Sequence, residues 1–419
     1  MKIENHTIRS IAIIILLVYL TIFLLHQSVV YAEDSTVPIQ TPVLVIAYYP
    51  PDTDNPQFLD QEETGWTIPV AITTLEGKTE EMIQKHISFL ADATRYHGYK
   101  DENAPSSLTY NVYNRLKFYE KIPRGHLLKP ETMTYRPYYR AILENINICD
   151  TVDNHTVKEV WMFGYHSAHI EPDESRMGSK LGDIANSWPK EEYLEEKFRI
   201  PVCANTYVLY NFTYNTEATI TYMVHNRMHQ IENVMSYIDP AIFWHDFSEW
   251  VQDGTDHNYN SSCGNGHYTP NWQQTSEDQN IDDDYNYSIS EYRLNNCETW
   301  HPDDSQTSYI SANCSRWGCT DVGFYKWFMQ NLPGYQNGIV YQGKTMRNWW
   351  EAMYDLQEFV RGGRSLYETT EIKPIIPTPT SSISTINPTG FDFNALWLRI
   401  VNWWNNAVVF MRNLIDNKS

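Results

Sequence analysis

The stretch VKEVWMFG at positions 157–164 decides the fold of this 419-residue chain, because it is the clearest buried strand in the sequence. β-Branched and aromatic residues dominate it, and Gly164 ends it. Runs at 43–49, 108–113 and 206–212 also have strand character. Helical segments separate these runs. Strands that alternate with helices predict an α/β fold, with a single large domain built on a mainly parallel sheet that helices flank.

Five segments carry the helical pattern, at 79–93, 138–148, 216–238, 324–330 and 346–360. Thr79 is a suitable N-cap for the first of them. The segment 216–238 contains neither proline nor glycine, and its apolar residues recur at helical spacing. This segment is therefore the most strongly predicted helix.

Outside the α/β body, which is expected to cover 33–370, the chain has three segments of different character. Residues 1–32 have the charged start, apolar run and small residues of a signal peptide, with an uncleaved membrane anchor as the alternative. A linker rich in Pro, Thr and Ser follows at 371–390. The segment 391–419 predicts an amphipathic helix suited to a membrane surface, to a partner or to packing on the body itself.

The composition is that of an acidic protein. The formal net charge is −21, which disfavours nucleic acid as a partner. Six Asn-x-Ser/Thr sequons beyond the predicted signal peptide could make the chain a glycoprotein if the host glycosylates its exported proteins. They begin at Asn154, Asn211, Asn260, Asn286, Asn313 and Asn417.

Cysteine usage agrees with export. The six cysteines are Cys149, Cys203, Cys263, Cys297, Cys314 and Cys319. An even number in an oxidising compartment predicts three disulfides, and pairing Cys263 with Cys297 and Cys314 with Cys319 is economical. The weaker alternative is a zinc site that combines the last three cysteines with His301.

A stripe on the predicted 216–238 helix is the first candidate site. His225 and His229 lie one turn apart and form a suitable platform for a divalent metal, and Glu232 could be a third ligand or the partner of a ligand. The zinc-protease signature His-Glu-x-x-His would need glutamate where this sequence has Asn226, so ordinary protease chemistry is disfavoured. The alternative is a pair of structural histidines at a helix interface.

The loop after the 157–164 strand is the second candidate site, because ligands bind beyond the carboxyl ends of parallel strands. It holds His166, His169, Glu171, Asp173 and Glu174. One of the three carboxylates is predicted to act as a catalytic base, and a solvated acidic turn is the alternative. Because the 216–238 helix also starts beyond a strand end, we expect the helix stripe and this loop to meet at one edge of the sheet.

A long insertion at 252–296 is dense in Asp, Asn, Tyr, Ser and Gly and is predicted to be a disulfide-tied loop. Its segment CGNGHYTPN at 263–271 offers His267 as a further metal ligand, which a disulfide could hold in place. No Gly-x-Ser-x-Gly elbow, phosphate-binding glycine loop or dinucleotide fingerprint occurs. The common serine hydrolase, kinase and dehydrogenase mechanisms are therefore disfavoured.

Five segments resemble those of a family of uncharacterised exported microbial proteins. They are EVWMFG at 159–164, ESRM at 174–177, HQIE at 229–232, CGNGHYTPN at 263–271 and NWW at 348–350. The resemblance covers most of 43–354 and implies a shared exported domain, with no established activity. Glu174, His229, Glu232 and His267 fall inside the matching segments.

The sequence therefore favours a secreted or surface-held hydrolase that acts on an extracellular polymer or glycan with a divalent metal, Zn²⁺ or Ca²⁺. The predicted ligands are His229 and Glu232, with one or more of His225, His166 and His267. A metal-free variant would use paired carboxylates on a sugar, with Trp and Tyr side chains as a stacking platform. The alternative from another class is a non-catalytic cell-surface module that binds glycan or protein.

Overall fold

The computed structural model describes residues 38–184, 195–215, 219–248, 263–266, 269–270, 293–302 and 310–368. All of them belong to one compact unit of the chain. The predicted signal peptide, the linker and the amphipathic helix at 391–419 lie outside the described residues, as does His267. For these parts of the chain the sequence-based predictions stay predictions.

A five-stranded sheet forms the centre of the body. The strands of the described residues are β1 (Ile39–Tyr48), β2 (Leu108–Phe118), β3 (Arg124–Lys129), β4 (Thr134–Pro137), β5 (Glu159–Gly164), β6 (Ser175–Gly178), β7 (Tyr207–Thr213), β8 (Arg293–Asn295), β9 (Ile310–Ala312), β10 (Val340–Tyr341) and β11 (Lys344–Thr345). The central sheet has the order β2-β1-β5-β7-β6. Its first four strands are parallel, and β6 runs antiparallel to β7 at one edge. The predicted α/β fold with a mainly parallel sheet is confirmed.

Helices connect and flank the strands. They are α1 (Gln61–Thr64), α2 (Ile72–Ala93), α3 (Tyr139–Asn145), α4 (Ile148–His155), α5 (Ile220–Ile238), α6 (Asp321–Asn331), α7 (Trp350–Tyr354) and α8 (Leu356–Arg361). Helix α2 begins seven residues before the predicted cap at Thr79, because Ile72 and Leu75 extend its buried face. The predicted helices at 138–148 and 346–360 are each divided. Asn147 has a left-handed φ of 51°, and Asp355 is extended with a φ of −154°.

A buried ion pair fastens α5 to the sheet. Arg227 is 1% exposed, and both of its terminal nitrogens donate hydrogen bonds of 2.6 Å to the carboxylate of Glu159 in β5. Trp161 donates a third hydrogen bond, of 2.8 Å, to that carboxylate. The guanidinium lies 4.3 Å from the ring centroid of Tyr210 and 5.6 Å from that of Tyr110. Since a charge at this depth is tolerated only when it is paired, the ion pair fixes the rotation of α5 about its own axis.

Three disulfides tie the body together, Cys149–Cys203, Cys263–Cys297 and Cys314–Cys319. The two predicted local pairings are confirmed. No cysteine is reduced, so the alternative zinc site with cysteine ligands is excluded. Disulfides in this number favour an oxidising compartment outside the cytosol.

Two further features bear on export. Within the described ranges, no helix combines the length and the apolarity that a membrane span requires. The sequon at Asn211 lies in β7 with that residue 3% exposed. The prediction of a glycosylation site is wrong at this position, because a glycan could not reach the buried amide in the folded protein.

Replacing Glu159 with glutamine should destabilise the fold, because the substitution leaves the buried Arg227 charge without its counter-ion. We expect denaturant titration to show a fall of about 3–5 kcal/mol in the free energy of unfolding. Glu81→Gln is the matched control, since Glu81 and Lys85 form a surface pair with side chains 62% and 64% exposed. That control should leave the free energy of unfolding nearly unchanged, and equal losses in the two variants would rule out the anchoring role of the buried pair.

Candidate metal centre

Two histidines of α5 face each other at one end of the candidate centre. His225 and His229 lie one turn apart, and their rings meet edge to face with centroids 4.5 Å apart. Their Nε2 atoms approach to 3.0 Å. The side chains are 10% and 12% exposed, so both rings are largely shielded from water.

Glu174, the residue before β6, completes the group. Its carbonyl oxygen accepts hydrogen bonds from the backbone of Asn211 in β7, at 3.0 Å, and from the side chain of Asn226 in α5, at 3.2 Å. The Glu174 backbone is therefore held between the sheet and the helix. Its carboxylate oxygens lie 3.7 Å from His225 Nε2 and 3.7 Å from His229 Nε2, one oxygen facing each ring. The carboxylate is 33% exposed and opens the group to solvent.

Among the described residues, these three side chains form a group that could hold a metal ion. One nitrogen of His225, one nitrogen of His229 and one oxygen of Glu174 lie within 4.8 Å of one another. Donors that bind a tetrahedral zinc ion at about 2.0–2.2 Å are about 3.3–3.5 Å apart. The observed separations of 3.0 and 3.7 Å lie on either side of that spacing, so small side-chain movements would suffice for coordination.

A second layer of residues determines which ring nitrogens point into the group. When the hydroxyl of Tyr325 donates its proton to the carbonyl of Gly266, 3.2 Å away, its oxygen can accept a hydrogen bond from His225 Nδ1 at 3.0 Å. A carboxylate oxygen of Glu232 accepts a hydrogen bond from His229 Nδ1 at 2.9 Å. With both Nδ1 atoms donating, each neutral ring directs the Nε2 lone pair toward the other ring, as metal-binding histidines do.

Two such lone pairs at 3.0 Å repel each other unless a cation lies between them. Burial alone would lower the pKa of His229, but the hydrogen bond to Glu232 and the charges of Glu232 and Glu174 outweigh burial and raise that pKa to about 9. At neutral pH without a metal, His229 therefore carries a proton on Nε2 and donates it to His225. A metal ion would take the place of that proton.

The other two carboxylates predicted in the loop do not belong to this group. Glu171 forms an ion pair with Lys129 at the surface. The side chain of Asp173 is fully buried and pairs with Arg136 and, at 2.6 Å, with Arg176. Two cations thus hold Asp173, the residue that precedes Glu174, and this gives Asp173 an anchoring role. A role for Glu171 or Asp173 as the catalytic base stays a prediction.

The remaining predicted ligands lie in other positions. The side chain of Asn215 accepts a hydrogen bond from the backbone N–H of His166 at 2.9 Å and donates one to its carbonyl at 2.6 Å. His166 is not among the grouped donors. Glu232 is also outside the donor group and contacts His229 on the ring edge that faces away from Glu174. The predicted contribution of His267 lies outside the described residues.

Three residues of the centre are not apparent from the sequence. In the sequence, Asn226 indicates only that the general base of the zinc-protease signature is missing. In the structure it is fully buried, and its side-chain amide donates hydrogen bonds to the carbonyls of Glu174 and Asn211. Gly266 is one of two glycines in the segment CGNGHYTPN, and this glycine content is the sequence feature that marks it. Tyr325 lies 100 residues from the histidine that it contacts, and no local pattern indicates its role.

Without a metal, the protein should lose stability as the pH rises through the pKa of His229. The folded-state pKa of about 9 lies above the ordinary value of 6.5, so this stabilisation is complete below about pH 6.5 and is lost as the pH rises through 9. In the presence of a chelator we expect the free energy of unfolding to fall by on the order of 3 kcal/mol over this range. Glu232→Gln should remove most of the dependence. An equally steep dependence in that variant would assign it to another group.

No protein-family model and no curated protein matches this sequence. The resemblance to exported microbial proteins therefore stays a prediction, and the function of the centre is inferred from its own geometry.

Proposed function

We propose that the protein is an exported, zinc-dependent hydrolase in which Glu174, His225 and His229 bind the ion. The convergence of the two Nε2 atoms at 3.0 Å, each 3.7 Å from a different oxygen of Glu174, carries the proposal. Two imidazoles and one carboxylate are a donor set that zinc accepts readily. Calcium prefers about six to eight oxygen donors, so this donor set favours zinc over calcium.

The donor set supports a catalytic zinc ion. Structural zinc sites are closed by four protein ligands and are rich in cysteine, whereas two histidines and one glutamate leave a position for water. The Glu174 side chain, which is 33% exposed, connects the group to solvent. Zinc lowers the pKa of bound water to about 7 and polarises the bond to be cleaved. A cysteine nucleophile is unavailable, since all six thiols are in disulfides.

The surrounding residues position the ligands. Glu232 and Tyr325 hold the imidazoles through their Nδ1 atoms, and Asn226 holds the backbone of Glu174. Asn226 occupies the place of the general base in the zinc-protease signature and cannot accept a proton as that base does. A bound zinc ion would therefore have to supply the activation of water, and Glu174 would serve as one of its ligands.

The net charge narrows the class of substrate. An acidic chain with a formal charge of −21 repels polyanions, so the favoured substrate is an uncharged or cationic extracellular polymer, such as a neutral glycan. The three disulfides support action outside the cytosol, where the chain is secreted or held at the cell surface.

Zinc titration of the purified protein should show one ion per chain by calorimetry. His225→Ala and His229→Ala should each weaken zinc binding by at least about 100-fold, because each removes one of three donors. His166→Ala is the matched control, since this loop histidine lies outside the donor group, and it should bind like the wild type. Undiminished binding in both α5 variants would exclude the site.

Hydrolysis should depend on the same ion. Zinc-loaded protein should cleave at least one member of a panel of neutral polysaccharides, proteins and simple esters, and a chelator should abolish that activity reversibly. Glu174→Gln should lower the rate at saturating zinc by about 100-fold or more, because a neutral amide is a poor zinc ligand. Tight zinc binding without cleavage of any substrate would favour the non-catalytic surface module instead.

A further inference from the structure

One residue of the disulfide-tied segment contacts both supports of the proposed centre. The N–H of Gly266 donates a hydrogen bond of 2.6 Å to Glu232, whose other oxygen accepts from His229. The carbonyl of Gly266 accepts a hydrogen bond of 3.2 Å from Tyr325, whose oxygen accepts from His225. A single residue therefore holds in place the two side chains that set the histidine tautomers.

This close approach depends on glycine. A Cβ atom at position 266 would lie 3.0 Å from Oε1 of Glu232 and 3.4 Å from Cβ of Met228. The first distance is shorter than ordinary van der Waals contact, and the second is at its lower limit. A side chain at this position would push Glu232 away from the N–H that it accepts and, through Glu232, disturb His229.

The Cys263–Cys297 disulfide anchors the segment only three residues before Gly266. Both half-cystines are buried, at 0% and 1% exposure. The N–H of Cys263 also donates to the carbonyl of Phe247 at 3.1 Å. On the other side of the bond, Cys297 precedes Glu298, a buried carboxylate that a lysine, an arginine and a tryptophan of the body contact. The disulfide thus joins the segment to a well-anchored part of the body.

We propose that the Cys263–Cys297 disulfide completes the metal centre and that Gly266 is the positioning residue through which the disulfide acts. This inference rests on the proposed zinc-dependent function. The bond forms by thiol–disulfide exchange, in which the two thiols lose two protons and two electrons to a disulfide oxidant that is reduced to a dithiol. The chain therefore acquires its full zinc affinity only after it reaches an oxidising compartment.

The other two disulfides provide matched controls. Cys149–Cys203 joins α4 to the segment before β7, and Cys314–Cys319 closes a short turn ahead of α6. Replacing the cysteines of either bond with serine removes a covalent constraint of the same chemical kind. Cys149–Cys203 is the stricter control, because Cys319 lies only two residues before α6, the helix that carries Tyr325.

The zinc affinity of the full exported chain should show which disulfide the metal centre depends on. Replacing Cys263 and Cys297 together with serine should weaken zinc binding by about 10–100-fold, the usual effect of losing residues that hold metal ligands. The paired serine variant of Cys149 and Cys203 should keep the wild-type affinity. Circular dichroism and thermal unfolding establish which variants are folded.

Gly266→Ala gives a second test that keeps every disulfide and decides the question if the double cysteine variant does not fold. We expect weaker zinc binding and a changed nitrogen-15 signature of the His229 Nδ1–H group by NMR, an effect that a loss of stability alone would not produce. Gly77→Ala is the control, since a Cβ atom there meets nothing within 4 Å.

The outcomes distinguish the two proposals. A wild-type protein that binds no zinc would overturn the proposed function and this inference with it. Wild-type zinc affinity in the folded double cysteine variant, or in Gly266→Ala, would overturn this inference alone and leave the three ligands in place.

Discussion

The approach of two imidazole rings on one helix is the interaction on which the candidate centre depends. His225 and His229 direct their Nε2 atoms at each other across 3.0 Å, and a proton or a metal ion between the two nitrogens stabilises this approach. A proton and a zinc ion are alternative occupants of the same position, and the nearby Glu174 carboxylate stabilises either one. The arrangement persists only while each Nδ1 keeps its partner, because a ring that can turn no longer aims its lone pair into the group.

The fold brings the components of the centre together from three directions. The buried pair between Arg227 and Glu159 sets the rotation of α5 against the sheet. The antiparallel edge strand β6 starts beside the carboxyl-terminal half of β7, and this pairing places Glu174 against the helix. Gly266 contacts both imidazole partners, Glu232 and Tyr325. Each support uses backbone or buried polar contacts, so the contacts that position the ligands do not depend on a bound ion.

The sequence predicts the sheet and the histidine pair for clear physical reasons. Buried parallel strands are uninterrupted apolar runs, and a spacing of four residues in a helix defines one face. It does not predict which loop carboxylate joins the histidines, because Glu171, Asp173 and Glu174 are equivalent as sequence. The ion pairs of the folded chain make that choice, since Arg136 and Arg176 bind Asp173 and Lys129 binds Glu171. The contact between Tyr325 and His225 is equally invisible, because it exists only after the helices pack.

X-ray diffraction at the zinc absorption edge, from crystals of the zinc-loaded chain, tests the central claim most directly. Anomalous scattering locates the ion without any assumption about its ligands. We predict one strong peak about 2.0–2.2 Å from Nε2 of His225, Nε2 of His229 and an oxygen of Glu174, with a water molecule in the remaining position. A peak bound by other residues, or no peak while the two Nε2 atoms remain in direct contact, would contradict the assignment of a metal centre to these side chains.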